Sequence, residues 1–386
     1  MIIHSDADNY FAAVEEKFNP KLRNIPFAVC GDPEMRHSIV MSKNACAKKY
    51  GIPTGISFRQ ARMICPELEY VKADYNKYLG QTKLMRSVYK KYTDKVIPYG
   101  MDESWLDLGN VSFDEAKQIA ELIRVEIFYG LGLSASLGVS YNLIFSKIGS
   151  DYNKPNGITL ITQDNYKSIV WPMPASALLF IGAKRAKQLS RIGIFTIGDI
   201  ALSNQDKLVK LLGKVGYDIW LFANGDDQNF KPNADYIGSI GNTITPPADL
   251  MNNDDVSAVL YLLASTICTR LKKHNLRAGN LSISIRDNSF NKIIRQSTFK
   301  NNTDNVNCVF NQAWKLFVNN YKWERVIRSV GITVGNLTSV EQLVLFPYEE
   351  KLVIDVDNRI KRLTKRLGEL KVEGGGGVKC AGDIVF

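Results

Sequence analysis

The sequence predicts an α+β fold of several domains, and three observations lead to this prediction. The chain has 386 residues, 45% of them hydrophobic, so it can bury more than one core. Two acidic clusters lie beside short apolar runs that are typical of strands. From residue 237 to 340, the hydrophobic residues recur with the periods of strands (2) and helices (3.6), in the order strand, helix, two strands, helix and strand. We therefore expect a sheet-containing domain near each end of the chain and a helical segment between them.

The stretch 99–108 carries two adjacent carboxylates, Asp102 and Glu103, in an otherwise apolar run. Its pattern predicts the turn and second strand of a β-hairpin, with Leu106 and Leu108 facing one way. Ionised side chains are costly to bury unless they pair or bind a metal, and no Lys, Arg or His lies within this run. A divalent cation is the expected counter-charge.

A further carboxylate lies near the amino terminus. The apolar strand 1–5 leads into Asp6, and a helix is predicted over 12–18. If Asp6 meets the Asp102-Glu103 pair on a neighbouring strand, the three carboxylates can hold two Mg²⁺ about 3.5–4 Å apart, an arrangement used for phosphoryl transfer.

These two segments carry a family resemblance. Residues 6–15 (DADNYFAAVE) and 101–107 (MDESWLD) resemble the two catalytic motifs of the Y-family, or translesion, DNA polymerases. The resemblance covers residues 1–346 and implies a right-hand polymerase with a palm of mixed sheet plus helices. It also implies small fingers, a helical thumb with a helix-hairpin-helix, and a βαββαβ little finger. The implied domains are 1–19 with 76–165 (palm), 20–75 (fingers), 166–233 (thumb), 237–340 (little finger) and 341–386 (C-terminal tail).

For the palm, the resemblance implies that Asp6, Asp102 and Glu103 are catalytic and hold two Mg²⁺. The backbone carbonyl of Ala7 would complete the second metal site. No protein nucleophile is then required for nucleotide addition.

The aromatic pair after the first acidic motif is implied to bind substrate. The Phe11 ring would lie under the incoming sugar and leave no room for a 2′-hydroxyl, which selects deoxyribonucleotides. Tyr10 is equally well explained as a core residue at a helix start. Asp8 is either a ligand or a helix N-cap.

The fingers are predicted to contain a buried strand over 25–31 and a helix over 42–51 that ends at a glycine. The resemblance implies that Ser42 and Lys48 hold the triphosphate from one helical face, with Lys43 assisting. A solvated Lys-rich face is the alternative for Lys43.

This helix departs from part of the family. Other branches carry a Tyr and an Arg where this chain has Ala45 and Lys48. The pattern is instead similar to the UmuC branch, the catalytic subunit of bacterial polymerase V. A lysine is a point charge that lacks the forked geometry of arginine.

Two more helices and a strand complete the predicted palm. Ser112 and Glu115 form a capping-box pattern, and the buried stripe of that helix is expected at Ile119, Leu122 and Ile123. A strand over 134–139 and a helix over 140–151 follow, and Lys154-Pro155-Asn156-Gly157 comes next. The resemblance implies that Lys147 of this second helix reaches the incoming triphosphate.

The thumb is predicted from short helices and loops between residues 171 and 234. Residues 181–199 have the pattern of a helix-hairpin-helix, in which glycines let backbone amides approach a phosphate. Gly182 and Lys184 are the predicted DNA contacts. Because Gly-rich helical hairpins are common, a purely structural hairpin is the alternative.

The βαββαβ segment is basic, with twelve Lys or Arg against six Asp or Glu between residues 239 and 340. Its element order is that of a ferredoxin-like split unit, and it resembles the family's little finger. Basic and apolar residues alternate on its strands, which predicts one charged face for DNA. The predicted DNA-binding residues are Arg286, Arg295, Arg325 and Arg328.

The tail contains Gln342-Leu343-Val344-Leu345-Phe346, which resembles the pentapeptide by which bacterial polymerases bind the sliding clamp. In such a plug, Leu343, Leu345 and Phe346 supply apolar contacts while Gln342 sets the register. A basic amphipathic helix is expected over 352–367.

The composition indicates which kind of partner and which cellular location to expect. A net charge of +10 favours a polyanionic partner. Without a run of twenty apolar residues or an amino-terminal leader, we expect a soluble, cytoplasmic protein that does not enter membranes. The six cysteines lack metal-site spacing and are expected to be reduced and mostly buried.

The leading hypothesis is a template-directed translesion DNA polymerase in damage tolerance and SOS-type mutagenesis. Its implied partners are primer-template DNA, deoxynucleoside triphosphates, the sliding clamp and accessory SOS proteins. The alternatives are a catalytically inactive relative that binds DNA and the clamp, and another palm-type nucleotidyl transferase or cyclase.

Overall fold

The computed structural model describes residues 1–32, 38–232 and 237–339. Within these ranges the chain forms two compact units, one of residues 1–31 and 39–232 and one built on 237–339. The predicted clamp-binding residues and the tail helix lie outside the described residues.

The first unit contains eight strands and eleven α-helices among its described residues. The strands are β1 (Ile2–Ala7), β2 (Phe27–Cys30), β3 (Val40–Lys43), β4 (Glu69–Lys72), β5 (Val96–Pro98), β6 (Glu103–Asp107), β7 (Ala135–Ser140) and β8 (Ile158–Ile161). The helices are α1 (Tyr10–Phe18), α2 (Ala45–Lys49), α3 (Phe58–Ile64), α4 (Tyr75–Tyr89), α5 (Phe113–Val125), α6 (Leu143–Tyr152), α7 (Tyr166–Ile169), α8 (Ala183–Ser190), α9 (Ile197–Leu202), α10 (Gln205–Leu212) and α11 (Lys214–Ala223).

A five-stranded mixed sheet has the order β5-β6-β1-β7-β8. β1 lies at its centre, antiparallel to both β6 and β7, and β8 runs parallel to β7. β5 and β6 form the predicted hairpin. β1 extends through Asp6 to Ala7, so the carboxylate of Asp6 belongs to the strand itself. These strands match the palm expected from the sequence.

A three-stranded sheet of order β3-β2-β4 has its own small core around Ala28, Val40 and Leu68. The helix predicted to start at Ser42 begins at Ala45, because the Asn44 side chain caps it by accepting a hydrogen bond from the Ala47 amide. Ser42 lies in β3. The expectation that Ser42 and Lys48 share one helical face is therefore wrong.

Helix α5 confirms the predicted capping box and corrects the predicted stripe. The Ser112 hydroxyl and the Glu115 carboxylate cap each other's backbone amides. Leu122, expected in the core, is 53% exposed, whereas Ala116 and Ala120 are buried with Ile123. The two alanines permit close packing against the sheet, and the large apolar residue is left on the outer side.

The segment after β8 forms short helices with a shared core. Side chains of α6, including Phe145 and Ile148, are buried together with Leu178, Ile194 and Ile197. Gly182 is the N-cap of α8, and Gly193 has φ of 81°, which permits the turn that leads to α9. The predicted helix-hairpin-helix is confirmed as a fold.

The second unit has the predicted βαββαβ order. Its elements are β9 (Ser239–Ile244), α12 (Asn253–Lys273), β10 (Leu276–Asp287), β11 (Lys292–Thr303), α13 (Val306–Asn320) and β12 (Ile327–Ser339). The sheet order is β11-β10-β12-β9, with every neighbouring pair antiparallel. β9 and β10 thus run parallel with β12 between them, as in a split βαβ unit. The central pair is the second and fourth strands, whereas a ferredoxin-like sheet has its first and third strands at the centre.

Two further expectations concern the described residues. Cys30, Cys65 and Cys268 are buried, Cys46 and Cys308 are partly buried, and all five are free thiols. In the described ranges, no helix is long and apolar enough to cross a membrane.

The contact between β7 and α6 gives a stability prediction. A Cβ at Gly138 would lie 1.9 Å from the Ser146 carbonyl oxygen and 2.5 Å from the Ser150 amide nitrogen. Gly138→Ala should therefore lower the free energy of unfolding by about 3 kcal/mol, because strand and helix must separate. Gly80→Ala is the control, since a Cβ at Gly80 in α4 meets nothing within 4 Å. The control should gain about 0.5–1 kcal/mol. Urea unfolding of both variants tests this, and equal midpoints would contradict it.

Candidate active site

The pairing of β1 with β6 brings the predicted carboxylates together. Asp6 lies directly opposite Glu103 in antiparallel register, and the Ala7 amide donates to the Asp102 carbonyl at 3.0 Å. Five consecutive residue pairs, from Ile2–Asp107 to Asp6–Glu103, fix this register. A slip of one residue would move every side chain of the strand to the other face.

These residues line a cavity of about 740 Å³. Most of the residues predicted for metal and nucleotide lie on its wall: Asp6, Ala7, Tyr10, Phe11, Ser42, Lys48, Asp102 and Glu103. Lys43, Asp151 and Lys154 line it as well. Lys147, predicted to reach the triphosphate, lines a second cavity of about 450 Å³ beside the loop that precedes α8.

The surroundings of Asp6 and Asp102 disfavour their charged forms. Burial raises the pKa of Asp6 to about 7, although the Lys154 ammonium opposes this shift and Glu103 adds to it. Burial and the Glu103 charge likewise raise the pKa of Asp102. Since each shift reflects a charged form that is poorly stabilised, an added cation would relieve both.

Two lysines supply the positive charge that the hairpin itself lacks. Lys154 Nζ lies 2.8 Å from both Asp6 Oδ2 and Asp151 Oδ1. Lys147 Nζ lies 2.7 Å from Glu103 Oε2. The expectation of a divalent cation as the counter-charge therefore left out these two lysines. Sequence reasoning gave Lys154 no role. The feature that could have indicated one is its position directly before the Pro-Asn-Gly turn that follows α6.

The donor set suits Mg²⁺. The carboxylate oxygens of Asp6 and Glu103 already hold cationic groups at 2.8 and 2.7 Å, and oxygen ligands are those that Mg²⁺ prefers. Within the described part of the chain, no three His, Cys, Asp or Glu side chains converge on a single point. A metal ion that binds these same two oxygens would compete with the lysine ammonium groups.

Phe11 and Tyr10 lie in different surroundings. The Phe11 ring stacks on Tyr78 with centroids 4.5 Å apart, and Phe11 lines the cavity. Tyr10 is 3% exposed, and its hydroxyl donates to the Tyr78 carbonyl at 2.7 Å and lies 2.8 Å from Thr82 Oγ1. This placement favours the core interpretation of Tyr10.

The fingers bring a hydroxyl and two cations to the cavity. The Ser42 hydroxyl donates to the Asn9 carbonyl at 3.2 Å and accepts from the Ala12 amide at 3.3 Å, which joins β3 to α1. Burial and the neighbouring Lys48 charge lower the pKa of Lys43. Two like charges at one wall favour an anionic ligand.

Asp8 anchors the loop that follows α6. Its Oδ1 accepts from the Ser136 hydroxyl and its Oδ2 from the Asn156 amide, both at 2.8 Å. Asn9, with φ of 48°, holds the N-cap position of α1, so the N-cap interpretation of Asp8 is wrong. With both oxygens engaged, Asp8 holds the loop that carries Lys154 next to β1.

Helix α4 fixes the turn before Asp102. The Thr82 hydroxyl donates to the Met101 carbonyl at 2.8 Å, and Arg86 Nη2 donates to the Gly100 carbonyl at 2.8 Å. Sequence reasoning missed both residues, because the turn was predicted but its contact with α4 is not encoded in the local pattern of either segment.

The predicted DNA contacts of the thumb are accessible. Gly182 leaves the first amides of α8 without a side-chain cap, and Lys184 is exposed on the first turn. Exposed amides at the amino end of a helix, with a cation beside them, can bind a phosphate.

The predicted basic face of the second unit needs one correction. Arg286 is exposed and lies opposite Lys292. Arg295 lies opposite the buried Ile283, and its Nε donates to Asn320 Oδ1 at 3.1 Å. Opposite residues of an antiparallel pair share a face, so Arg295 is on the helix-covered side and the expectation that it shares the face of Arg286 is wrong.

Two other arginines contact the turn between β10 and β11. The Arg325 guanidinium donates to the Ser289 hydroxyl. The Arg328 guanidinium lies 4.9 Å from the centroid of the Phe290 ring. Together they place positive charge at this end of the sheet.

Two family models match the chain: the impB/mucB/samB family over residues 5–151 and its C-terminal domain over 238–345. A protein of Acetivibrio thermocellus called DNA polymerase IV is 38% identical over 97% of this chain and 96% of its own length. DNA polymerase IV 1 of Bacillus subtilis is 30% identical over 98% of this chain and 93% of its own.

Solved structures share the fold. A Y-family DNA polymerase chimera has a TM-score of 0.79 at 23% identity, over 88% of this chain and 99% of its own. An insertion ternary complex of Dbh DNA polymerase has a TM-score of 0.63 at 22% identity, with the same coverage.

The Asp8 anchor yields a prediction. Asp8→Ala removes the acceptors of Ser136 and Asn156 and should lower the free energy of unfolding by about 1–3 kcal/mol, because buried donors lose their partners. Hydrogen exchange at the Asn156 amide should accelerate. Ser136→Ala, which leaves the Asn156 bond intact, is the control and should not speed exchange at Asn156. Unchanged exchange in Asp8→Ala would disprove the anchor.

Proposed function

The chain belongs to the impB/mucB/samB family of Y-family translesion DNA polymerases, and we propose that it extends primers with two Mg²⁺ held by Asp6, Asp102 and Glu103. The register that sets Asp6 opposite Glu103 at the cavity wall is the observation that carries this proposal. The carbonyl of Ala7 completes the oxygen ligands. When bound, the ions would lower the pKa of the primer 3′-hydroxyl and balance charge on the triphosphate.

The chain's own side chains position the nucleotide. Lys43 and Lys48 of the fingers, with Lys154 of the loop after α6, contact the triphosphate from two walls of the cavity. Charge-assisted contacts of this kind orient the reacting phosphate and offset its developing charge. Lys154 enters this set because it lines the cavity beside Asp6. The predicted contact of Lys147 requires its ammonium to leave Glu103.

Sugar selection is assigned to Phe11. Its ring is backed by Tyr78, so it cannot retreat from a 2′-hydroxyl without disturbing a buried side chain. A rigid wall of this kind discriminates by steric exclusion.

Primer-template DNA is proposed to contact both units through its phosphates. The α8 amides after Gly182, with Lys184, form one contact. Arg286, Arg325 and Arg328 of the second unit form the other. Such contacts are blind to sequence and weaken with added salt. Dbh DNA polymerase, which shares the fold, has been captured as an insertion ternary complex.

Finer aspects of the function remain predictions. They are the sliding-clamp plug, accessory SOS proteins, a role in SOS mutagenesis and a cytoplasmic location. The UmuC likeness read from Ala45 and Lys48 is also a prediction, and the two relatives described above carry the name DNA polymerase IV.

An inactive DNA-binding relative is the second candidate. The departures at Ala45 and Lys48 motivate it. The presence of all three carboxylates on one cavity wall favours the active enzyme.

The metal assignment is tested by primer extension with Mg²⁺ and four deoxynucleotides. Asp102→Ala should lose at least about a hundredfold in rate, because a carboxylate ligand of the catalytic ions is removed, while DNA binding persists. Asp107→Ala is the matched control, since Asp107 ends the same strand, lies outside the cavity lining and pairs with Lys95 at 3.3 Å. Synthesis retained by Asp102→Ala would overturn the assignment. Synthesis absent from the unaltered chain, with DNA still bound, would favour the second candidate.

The sugar gate is tested by comparing ribonucleotide with deoxyribonucleotide insertion. Phe11→Ala should raise the relative kcat/KM for ribonucleotides by about a hundredfold or more, because the steric barrier to the 2′-hydroxyl disappears. Phe18→Ala, at the exposed end of the same helix, serves as the control. If the ratio for Phe11→Ala equals that of the control, another residue selects the sugar.

A further inference from the structure

An exposed aromatic ring lies at the turn between β10 and β11. Phe290 is 61% exposed and does not belong to the apolar core of the second unit. Its φ is 67°, in the left-handed region that glycine and asparagine adopt most readily. A phenylalanine at such a position is strained and gains little from burial. Its presence therefore calls for an explanation other than folding.

The turn that carries Phe290 is fixed by one buried carboxylate. Asp287 Oδ1 accepts hydrogen bonds from the Ser289 amide at 2.8 Å and the Asn291 amide at 2.9 Å. Asp287 Oδ2 accepts from Asn291 Nδ2 at 3.0 Å, and the Phe290 amide donates to the Asp287 carbonyl at 3.1 Å. The ring is thus presented at a defined position, which reduces the entropic cost of binding a ligand there.

A β-bulge in β12 directs a cation onto this ring. Ser329 lies opposite Arg286, and Ile327 lies opposite the next residue of β10. Arg328 is therefore an extra residue between two paired positions, and a bulge of this kind redirects a side chain. The Arg328 guanidinium lies 4.9 Å from the centroid of the Phe290 ring, within the range of a cation–π contact.

Further positive charge surrounds the ring. Arg325 is exposed, and its guanidinium donates to a hydroxyl of the turn. Arg286 and Lys292 are exposed and lie opposite each other where β10 and β11 meet the turn. Glu324, next to Arg325 in the chain, is exposed and offsets part of this charge. An aromatic ring among cations is the combination that binds single-stranded nucleic acid, in which a base stacks on the ring and the cations hold the phosphates.

We propose that Phe290 stacks on an unpaired base of the template strand, while Arg325 and Arg328 hold the phosphates beside that base. This inference rests on the proposed function, because it takes primer-template DNA as the ligand. A base within a duplex has both faces covered by its neighbours, so an unpaired base fits this ring. Stacking accepts all four bases, since each has a flat face. Phe290 thus distinguishes single-stranded from paired template, which phosphate contacts alone cannot do.

The experiment compares the affinity of the full chain for three DNAs at one salt concentration, by fluorescence anisotropy. The first is a primer-template with a single-stranded template overhang, the second has abasic residues throughout that overhang, and the third is a blunt duplex. Phe290→Gly should weaken binding of the first about tenfold and leave the other two unchanged, because only the first offers a base to the ring. Glycine is chosen because it adopts the φ of the turn freely.

Two control variants separate stacking from the other roles of the turn. Phe290→Trp keeps an aromatic ring and should bind all three DNAs like the unaltered chain. Arg325→Ala removes a phosphate contact and should weaken binding equally whether the overhang carries bases or abasic residues. Equal weakening of all three DNAs by Phe290→Gly would show that Phe290 only shapes the turn, and would overturn the proposal. Unchanged affinity of Phe290→Gly for every DNA would also overturn it and would favour a protein partner for the ring.

The same measurements separate this inference from the proposed function. If the unaltered chain binds none of the three DNAs, the proposed function fails and the inference falls with it. If the unaltered chain binds DNA and extends primers while Phe290→Gly binds every DNA equally well, the Phe290 inference alone fails.

A measurement on the unaltered chain covers the case in which a variant fails to fold. 5-Iododeoxyuridine, placed at successive positions of the overhang, forms cross-links under ultraviolet light with aromatic side chains that contact it. At one position of the overhang, mass spectrometry should find the cross-link on the peptide that contains Phe290. Cross-links confined to other peptides at every position would overturn the proposal.

Discussion

The antiparallel register of β1 and β6 is the constraint on which the site depends. It places the buried Asp6 beside the partly buried Asp102 and Glu103 at one end of the paired strands. Burial, and to a smaller extent the charge of Glu103, raises the pKa of Asp6 and Asp102. The lysines of α6 and its following loop are attracted to the same carboxylates. The fold stores unfavourable electrostatic energy at the place where the proposed chemistry needs a cation.

The elements around this register limit its movement by polar contacts. Thr82 and Arg86 hold the turn before Asp102 by its carbonyls, and Asp8 holds the loop of Lys154 by its amide. Each bond uses a side chain from one element and the backbone of another. Loss of one of these polar atoms would therefore free a segment of the site.

Local sequence patterns correctly predicted the elements that depend on residues close together in the sequence. The β5–β6 hairpin, the Ser112 capping box and the βαββαβ order follow from periodicity and turn chemistry, and the structure confirms them. The predictions were wrong for residues whose position depends on a partner distant in the sequence. Arg295 faces the helices because the register with β10 places it there, and pairing with β2 keeps Ser42 in a strand. Lys154 gained its partner through a contact with Asp6 that no local pattern encodes.

The shared core of α6 and the thumb helices bears on how the protein can be divided. Phe145 and Ile148 belong to the palm by sequence, yet they are buried among Leu178, Ile194 and Ile197. A fragment that ends at residue 165 would expose this apolar surface and lose the support for α6, which carries Lys147. The boundary expected along the chain between palm and thumb therefore cuts through a shared core.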